Sequence, residues 1–415
     1  MPHHNHTPYT GGPPPFTTKK KLKMSDQCHG GPPILAVPIE LLACILTFAA
    51  RDAKLAIFTL WNVCNDFRHC MQNYVHIGEL HIGYFLEVAW RNILLRHPSG
   101  ETAACVADIA ELLPQLPGRL PPNAVHCLNI AAENDFPAHW NIQGLHPNLV
   151  LPFIERFPTL TRVNAEETAL QETAVARIVS VTHLQELDLS CTGRGSPGVT
   201  NHTMALLGNK ASVTVLSLAH ANCVTDLSPL QQLNLTTFSI QESENLDTDM
   251  LHTFLVNQHT LNHLDLTRCE LDDMDTVIRA VAQLTNLTFL GLDGLHLTPD
   301  HAIQLNNLIN LKELDLAGTW GFEGGLHNLQ LHKLVTINLS ELDQMTLEQL
   351  GGFTATHRAA LRDLNIVWAS FELLDDHAAM AMVSGHANNR FEVLFSIRLQ
   401  GEAKFRAGTT LYDLI

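Results

Sequence analysis

The sequence predicts an α/β solenoid: a curved parallel sheet with helical or irregular returns, preceded by a small helical unit. Three observations predict it. First, the phrase L-x-x-L-x-L recurs from Leu184 onward, starting at Leu184, Val213, Leu235, Leu261, Leu287, Leu311, Leu334 and Leu361. Second, these starts lie 29, 22, 26, 26, 24, 23 and 27 residues apart, the length of one structural repeat that cannot bury its apolar side without neighbours. Third, apolar residues make up 46% of the chain but aromatics only 6%, so the core must be aliphatic.

Residues 1–33 are rich in His, Pro, Gly, Thr and Lys without periodicity, which predicts a disordered tail. Residues 34–74 read as a compact helical unit. Val37-Pro38-Ile39-Glu40-Leu41-Leu42 opens with Pro near a helix start, and Lys54 to Phe67 supplies a second helical stretch with apolar residues at helical spacing. Residues 75–180 are expected to hold irregular N-terminal repeats and a cap. Ile77 to Ile82, Val125 to Ile130 and Leu160 to Ala165 look like degenerate strand phrases, with helices expected over Phe85 to Leu95 and Ala104 to Leu113. Residues 181–400 are the regular repeats, and 401–415 a C-terminal cap. A return over Met274 to Leu284 has a helical pattern, whereas Asp226 to Leu230 is turn-like. A ninth phrase, Leu394-Phe-Ser-Ile397-Arg-Leu399, is expected to close the array.

The phrase Leu261-Asn-His-Leu264-Asp-Leu266-Thr-Arg-Cys269-Glu-Leu271 matches L-x-x-L-x-L-x-x-[N/C]-x-L throughout, the leucine-rich-repeat pattern. Its leucines face the core and the intervening residues alternate outward on a short strand. Stacked strands then form a concave face, a surface for holding another protein rather than a pocket for chemistry.

Composition excludes several function classes. Formal net charge is -17, from 42 acidic against 25 basic residues, which argues against nucleic acid and anionic membrane as partners. Nine cysteines are scattered without a C-x-x-C pair, which points to reduced thiols in the cytoplasm or nucleus. The apolar run Ile34 to Ala50 follows the basic Lys19 to Lys23 as a signal peptide would. Pro38 and Glu40 interrupt it, and it is too short to span a bilayer.

No catalytic signature is present: no phosphate-binding G-x-x-x-x-G-K-[ST], no H-E-x-x-H and no G-x-S-x-G. No cofactor or metal site is expected. The acidic group Glu270, Asp272, Asp273 and Asp275 lacks calcium-loop spacing and reads as a solvated rim. Gly318 to Gly325 reads as an irregular rim loop, in which Trp320 and Phe322 are candidate partner anchors.

The candidate target-binding residues are therefore on the sheet face and its rim: Asp188, Ser217, Ser239, His263, Asp265, Asp293, Asp315, Trp320, Asn338 and Asn365. Around the strands the face carries Glu186, Asp188, Glu242, Asp265, Asp293, Glu313, Asp315, Glu341 and Asp363 against Arg268, Lys312 and Arg362. Nine acids opposing three bases favour a basic partner surface.

The 34–74 unit resembles an F-box, whose pattern runs roughly L-P-x-E-L-L-x-x-I-L and then V-C-x-x-W. Val37-Pro38-Ile39-Glu40-Leu41-Leu42 and Ile45-Leu46 match the first part, and Val63-Cys64-Asn65-Asp66-Phe67 the last, with Phe67 in the Trp position. The segment between them is about two residues longer than usual, and Val37 replaces the leading Leu. With the repeats behind it, the chain is similar to F-box/leucine-rich-repeat proteins. That resemblance implies a non-catalytic substrate-recruiting subunit of a Skp–cullin–F-box ubiquitin ligase. Val37, Pro38, Leu41, Leu42, Ile45, Leu46, Val63 and Phe67 would contact the Skp adaptor, and the repeats would hold the target. Two other readings stay open. One is a repeat scaffold that masks an enzyme or small GTPase, the helical unit serving only as a cap. The other is a secreted or host-directed effector.

Overall fold

The computed structural model describes residues 78–81, 120–131, 147–168, 170–191, 198–322, 324–342, 345–357, 359–365 and 392–394, with His69 and Gly118 besides. The chain divides into two compact units, Met1–Val75 and His76–Ile415. Nearly all described residues belong to the second. The Skp-contact candidates Val37, Pro38, Leu41, Leu42, Ile45, Leu46, Val63 and Phe67 lie outside the described residues, as do the helices expected over 85–95 and 104–113.

The second unit carries one twelve-stranded parallel sheet in strict sequence order. Its strands are β1 Gly78–His81, β2 Val125–Asn129, β3 Arg162–Asn164, β4 Glu186–Asp188, β5 Val215–Ser217, β6 Thr237–Ser239, β7 His263–Asp265, β8 Phe289–Gly291, β9 Glu313–Asp315, β10 Thr336–Asn338, β11 Asp363–Asn365 and β12 Glu392–Leu394. From β4 to β11 each strand begins two residues after its phrase start. The phrase leucines and their equivalents from Leu184 to Leu364 are at most 3% exposed. Burial of one such side chain contributes about 1.5–3 kcal/mol, so repetition of the phrase is what drives the stacking. The fold is a leucine-rich-repeat solenoid.

Described returns are either helices or single 3₁₀ turns. The described helices are α1 Pro147–Arg156, α2 Glu172–Val179, α3 Asn201–Leu207, α4 Thr248–Leu255, α5 Met274–Val281, α6 Pro299–Leu305 and α7 Leu347–His357. Asp247 and Asp273 cap α4 and α5 by accepting from the amides of Met250 and Thr276, at 3.0 and 3.1 Å. Asp273, expected as plain solvated rim, is thus a helix start. The 3₁₀ turns Ser228–Gln232 and Leu326–Asn328 occupy the two shortest intervals, 22 and 23 residues.

Short returns leave backbone groups without their usual partners. The amides of Leu261, Leu287, Leu311 and Leu334 each donate to a carbonyl three residues earlier, at 2.9–3.1 Å. Leu235 follows the 22-residue interval and instead donates to the Gln258 side chain of the next coil, at 3.3 Å. After the second 3₁₀ turn, the Leu331 amide donates to His357 Nε2 at 3.1 Å. Gln258 and His357 are 0% and 2% exposed. Each is a polar plug in an otherwise apolar layer, satisfying donors whose burial unpaired would be costly.

Two expectations are corrected. The strand paired with β11 is Glu392–Leu394, with Val393 opposite Leu364. The ninth phrase therefore enters the sheet about four residues earlier than Leu394 to Leu399 implied. Phe322 is buried, not a surface anchor. Its ring lies where a side chain on Gly325 would project, 2.8 Å from the ideal Cβ position, and the missing side chain lets the ring turn inward.

Candidate functional site

From β2 to β10 most of the strand-end residues are used by the fold. Asp188, Asp265, Asp315 and Asn338 each accept, through Oδ1, the amide of the residue two further on, at 2.9, 3.0, 3.0 and 3.2 Å. Asn129 and Asn164 do the same at 3.0 and 2.8 Å. These are Asx turns, which bend the chain off the strand at the same point in each coil. Asp265 is buried and its second oxygen accepts from Gln241 Nε2. At Gly291, in the next coil, a Cβ would stand 2.4 Å from Asp265 Oδ1, so a side chain there would displace the Asp265 carboxylate from its turn.

Serine rungs behave differently. The Ser217 hydroxyl bonds that of Ser190 at 2.6 Å, while the buried Ser239 hydroxyl has no partner among the described residues. His263 stacks flat on Phe289, with centroids 4.0 Å apart and planes 6° apart. Asn365 is half-buried at the end of β11.

Three residues beyond each strand from β3 to β10 the backbone enters the left-handed region. Glu167, Cys191, His220, Glu242, Arg268 and Glu341 have φ of 53–59°, and Gly294 and Gly318 occupy the equivalent places at 72° and 58°. From Glu167 to Gly318 each of these amides donates to a carbonyl of the next coil, at 2.6–2.9 Å. This second ladder offsets the roughly 1 kcal/mol or more that a non-glycine residue costs there.

The row also arranges charge. His220 Nε2 lies 3.1 Å from Glu242, and Arg268 reaches Glu242 at 3.8 Å and Asp293 at 3.3 Å. A Cβ on Gly294 would meet Arg268 Cγ at 2.9 Å, so glycine lets Arg268 cross that coil. Glu186 pairs with Arg162, a base on β3 beyond the three expected on the face. Burial pushes the Asp293 carboxyl up to about 6; Arg268 opposes the shift, and Asp315, Glu341 and Asp265 reinforce it. Burial likewise raises Asp315. Of the nine expected acids, three have basic partners, three hold turns and Asp363 accepts from Thr336 at 3.3 Å. Glu313 and Glu341 remain without an ion-pair partner among the described residues.

The rim differs in character. Trp320 is 61% exposed. Its amide donates to Leu295 at 3.2 Å, its carbonyl accepts from Leu297 at 2.9 Å, and its ring tilts against His296 at 4.2 Å. No group of three metal-ligating side chains occurs among the described residues, and no described helix is long and apolar enough to cross a membrane. A hollow of about 160 Å³ between α1 and α2 is lined by Leu151, Ile154, Arg177 and Val181. Glu155, Ser180 and Thr182 line it too, and the Ser180 hydroxyl donates to the Arg177 carbonyl at 2.6 Å.

No family model matches the chain, and no curated protein matches it. Among solved structures it is similar to the Listeria monocytogenes internalin inlF, at 14% identity over 60% of this chain, with a TM-score of 0.37. The chain spans 65% of that internalin. It is also similar to the leucine-rich-repeat-containing protein LegL7 of Legionella pneumophila, at 16% identity over 64% of this chain and 92% of that one, with a TM-score of 0.38.

Proposed function

We propose that this chain is a non-catalytic scaffold that holds a protein partner along its repeats. The observation that carries the reading is the division of labour in each coil. The leucines are sealed inside, the strand-end residues secure the turns, and the rim presents charge and an exposed Trp320.

In its finer form the proposal is that the scaffold recruits its partner to a Skp–cullin–F-box ubiquitin ligase. Support for this comes from the order of the sequence, with the F-box-like residues Val37 to Phe67 preceding the repeats. The test is co-purification of the full chain with a Skp adaptor, beside Leu41→Ala/Leu42→Ala. Adaptor binding by the native chain and its loss in the variant are expected. Failure of the folded native chain to bind the adaptor at micromolar concentration would leave the scaffold without a ligase link. Deletion of residues 34–74 would then lower stability without touching partner binding.

A further inference from the structure

We propose that the rim strip Glu244, Glu270, His296 and Trp320 is a docking track for an extended basic segment of a partner protein. A cationic side chain of that segment would rest on Trp320. The proposal rests on the scaffold reading and adds to it the partner's chemistry and the place where it lies.

The four residues occupy one position in consecutive coils, five beyond the ends of β6, β7, β8 and β9. A parallel backbone bridge between His296 and Trp320 fixes the register at one end. All four are exposed. Neither Glu244 nor Glu270 has an ion-pair partner among the described residues, in contrast to Glu186, Glu242 and Asp293 on the face. The nearby Arg268 is held by Glu242 and Asp293, so it does not neutralise the strip.

Trp320 is an anchor already set in place. Gly318 and Gly321 flank it with φ of 58° and 77°. A Cβ on Gly321 would stand 2.6 Å from His296 Nε2, so glycine there admits the imidazole against which the indole leans. Backbone bonds hold both faces of the peptide unit. A fixed aromatic loses little freedom on binding, and its face attracts Lys or Arg.

Spacing identifies the ligand more closely. Adjacent coils are about 4.8 Å apart, so Glu270 lies about 10 Å from Trp320 along the track and Glu244 about 14 Å. An extended chain advances about 3.3 Å per residue. A cation on Trp320 shares its face of the extended segment with the second and fourth residues onward, about 6.6 and 13 Å away, which bracket Glu270 and reach Glu244.

The probe is a fluorescein-labelled glycine–serine peptide with Arg at one position and Lys two and four residues later, titrated with the full chain by anisotropy at low salt. A counterpart with Glu at those positions is the control. Saturable binding of the basic peptide alone is expected, weakened about 3- to 30-fold by Trp320→Ala and about 2- to 5-fold by Glu270→Gln. Trp320→Phe should retain most of the affinity, which separates ring loss from misfolding. No saturable binding, equal binding of the acidic peptide, or full affinity in a folded Trp320→Ala chain would overturn the inference. A chain that ignores the peptide yet captures the Skp adaptor refutes the docking track and leaves the ligase reading standing. Peptide binding without adaptor capture does the reverse.

Discussion

Acidification should strain the coil around β10 through one histidine, and the effect can be isolated. The His357 ring is 2% exposed at the end of α7. Nε2 accepts the Leu331 amide at 3.1 Å, so Nδ1 carries the proton and donates to the Phe353 carbonyl at 2.9 Å. A second proton on Nε2 would face an N–H. Burial accordingly holds the ring below its ordinary value of 6.5; His332 adds to the depression and the Phe353 bond opposes it. Between the depressed native value and 6.5 the unfolded chain binds more protons than the native one, so stability rises with pH there. The contribution is whole above about pH 6.5 and is lost as pH falls, at up to about 1.4 kcal/mol per unit. Going from pH 6.5 to 5.0 then removes at most about 2 kcal/mol. The perturbation is His357→Gln, since Gln258 already fills the corresponding role opposite Leu235. The glutamine keeps an acceptor and cannot titrate. Urea unfolding followed by far-UV circular dichroism at pH 7.5 and 5.0 measures the difference. The variant is expected within about 1 kcal/mol of the native chain at pH 7.5, and it should gain on it by up to about 2 kcal/mol at pH 5.0. Asp293 titrates in the same range with opposite sign, but equally in both chains, so it cancels. Parallel pH profiles would refute the reasoning.

Three further outcomes follow from the same geometry. Gln258→Ala should cost about 2–4 kcal/mol in urea melts, because it leaves the buried Leu235 amide without an acceptor and opens a cavity. Gly321→Ala should cost about 1–3 kcal/mol, since its φ is 77° and its Cβ would meet His296; Gly352→Ala, with nothing within 4 Å in α7, should be neutral or stabilise by up to about 1 kcal/mol, as thermal melts of the pair would show. Alkylation followed by peptide mapping should label the exposed Cys223 readily and Cys269 hardly at all, because Cys269 is buried, donates to the Ile240 carbonyl at 2.9 Å and has its thiol pushed up to about 12 by burial.

The strands were legible because a phrase leucine has one place to go. Leu261, Leu264 and Leu266 are fully buried, and so are their equivalents two coils away. What could not be read was whatever depends on a neighbouring coil. Phe322 sits in an apolar, glycine-rich loop, and only the missing side chain of Gly325 shows which way its ring turns. Arg162 belongs to a degenerate phrase and gave no sign that it would neutralise Glu186. The left-handed row carries Glu, Cys, His and Arg at six of eight places, so the glycine signature that usually betrays such a conformation is present only at Gly294 and Gly318. One signal could have been used. A short interval followed, one coil later, by a polar residue just ahead of the next phrase marks both Gln258, three residues before Leu261, and His357, four before Leu361.

The same turn chemistry explains why the face is a poorer guide to binding than its composition suggests. Six strands are left through a side-chain acceptor at the strand end, and β3 to β10 are each followed by a left-handed residue three places on. Asp and Asn supply the first, and the charged residues of the second, His220, Glu242 and Arg268, interlock with one another and with Asp293. A partner can use these carboxylates only by breaking the turn or the ion pair, and that loss is of the same order as the new pairing would supply. Two places further along the coil neither demand applies. There the coil closes through backbone bonds, as between Leu295, Leu297 and Trp320, and the side chain is left to solvent. Selection for a partner can act at that position without weakening the fold, and it is there that Glu244, Glu270, His296 and Trp320 stand.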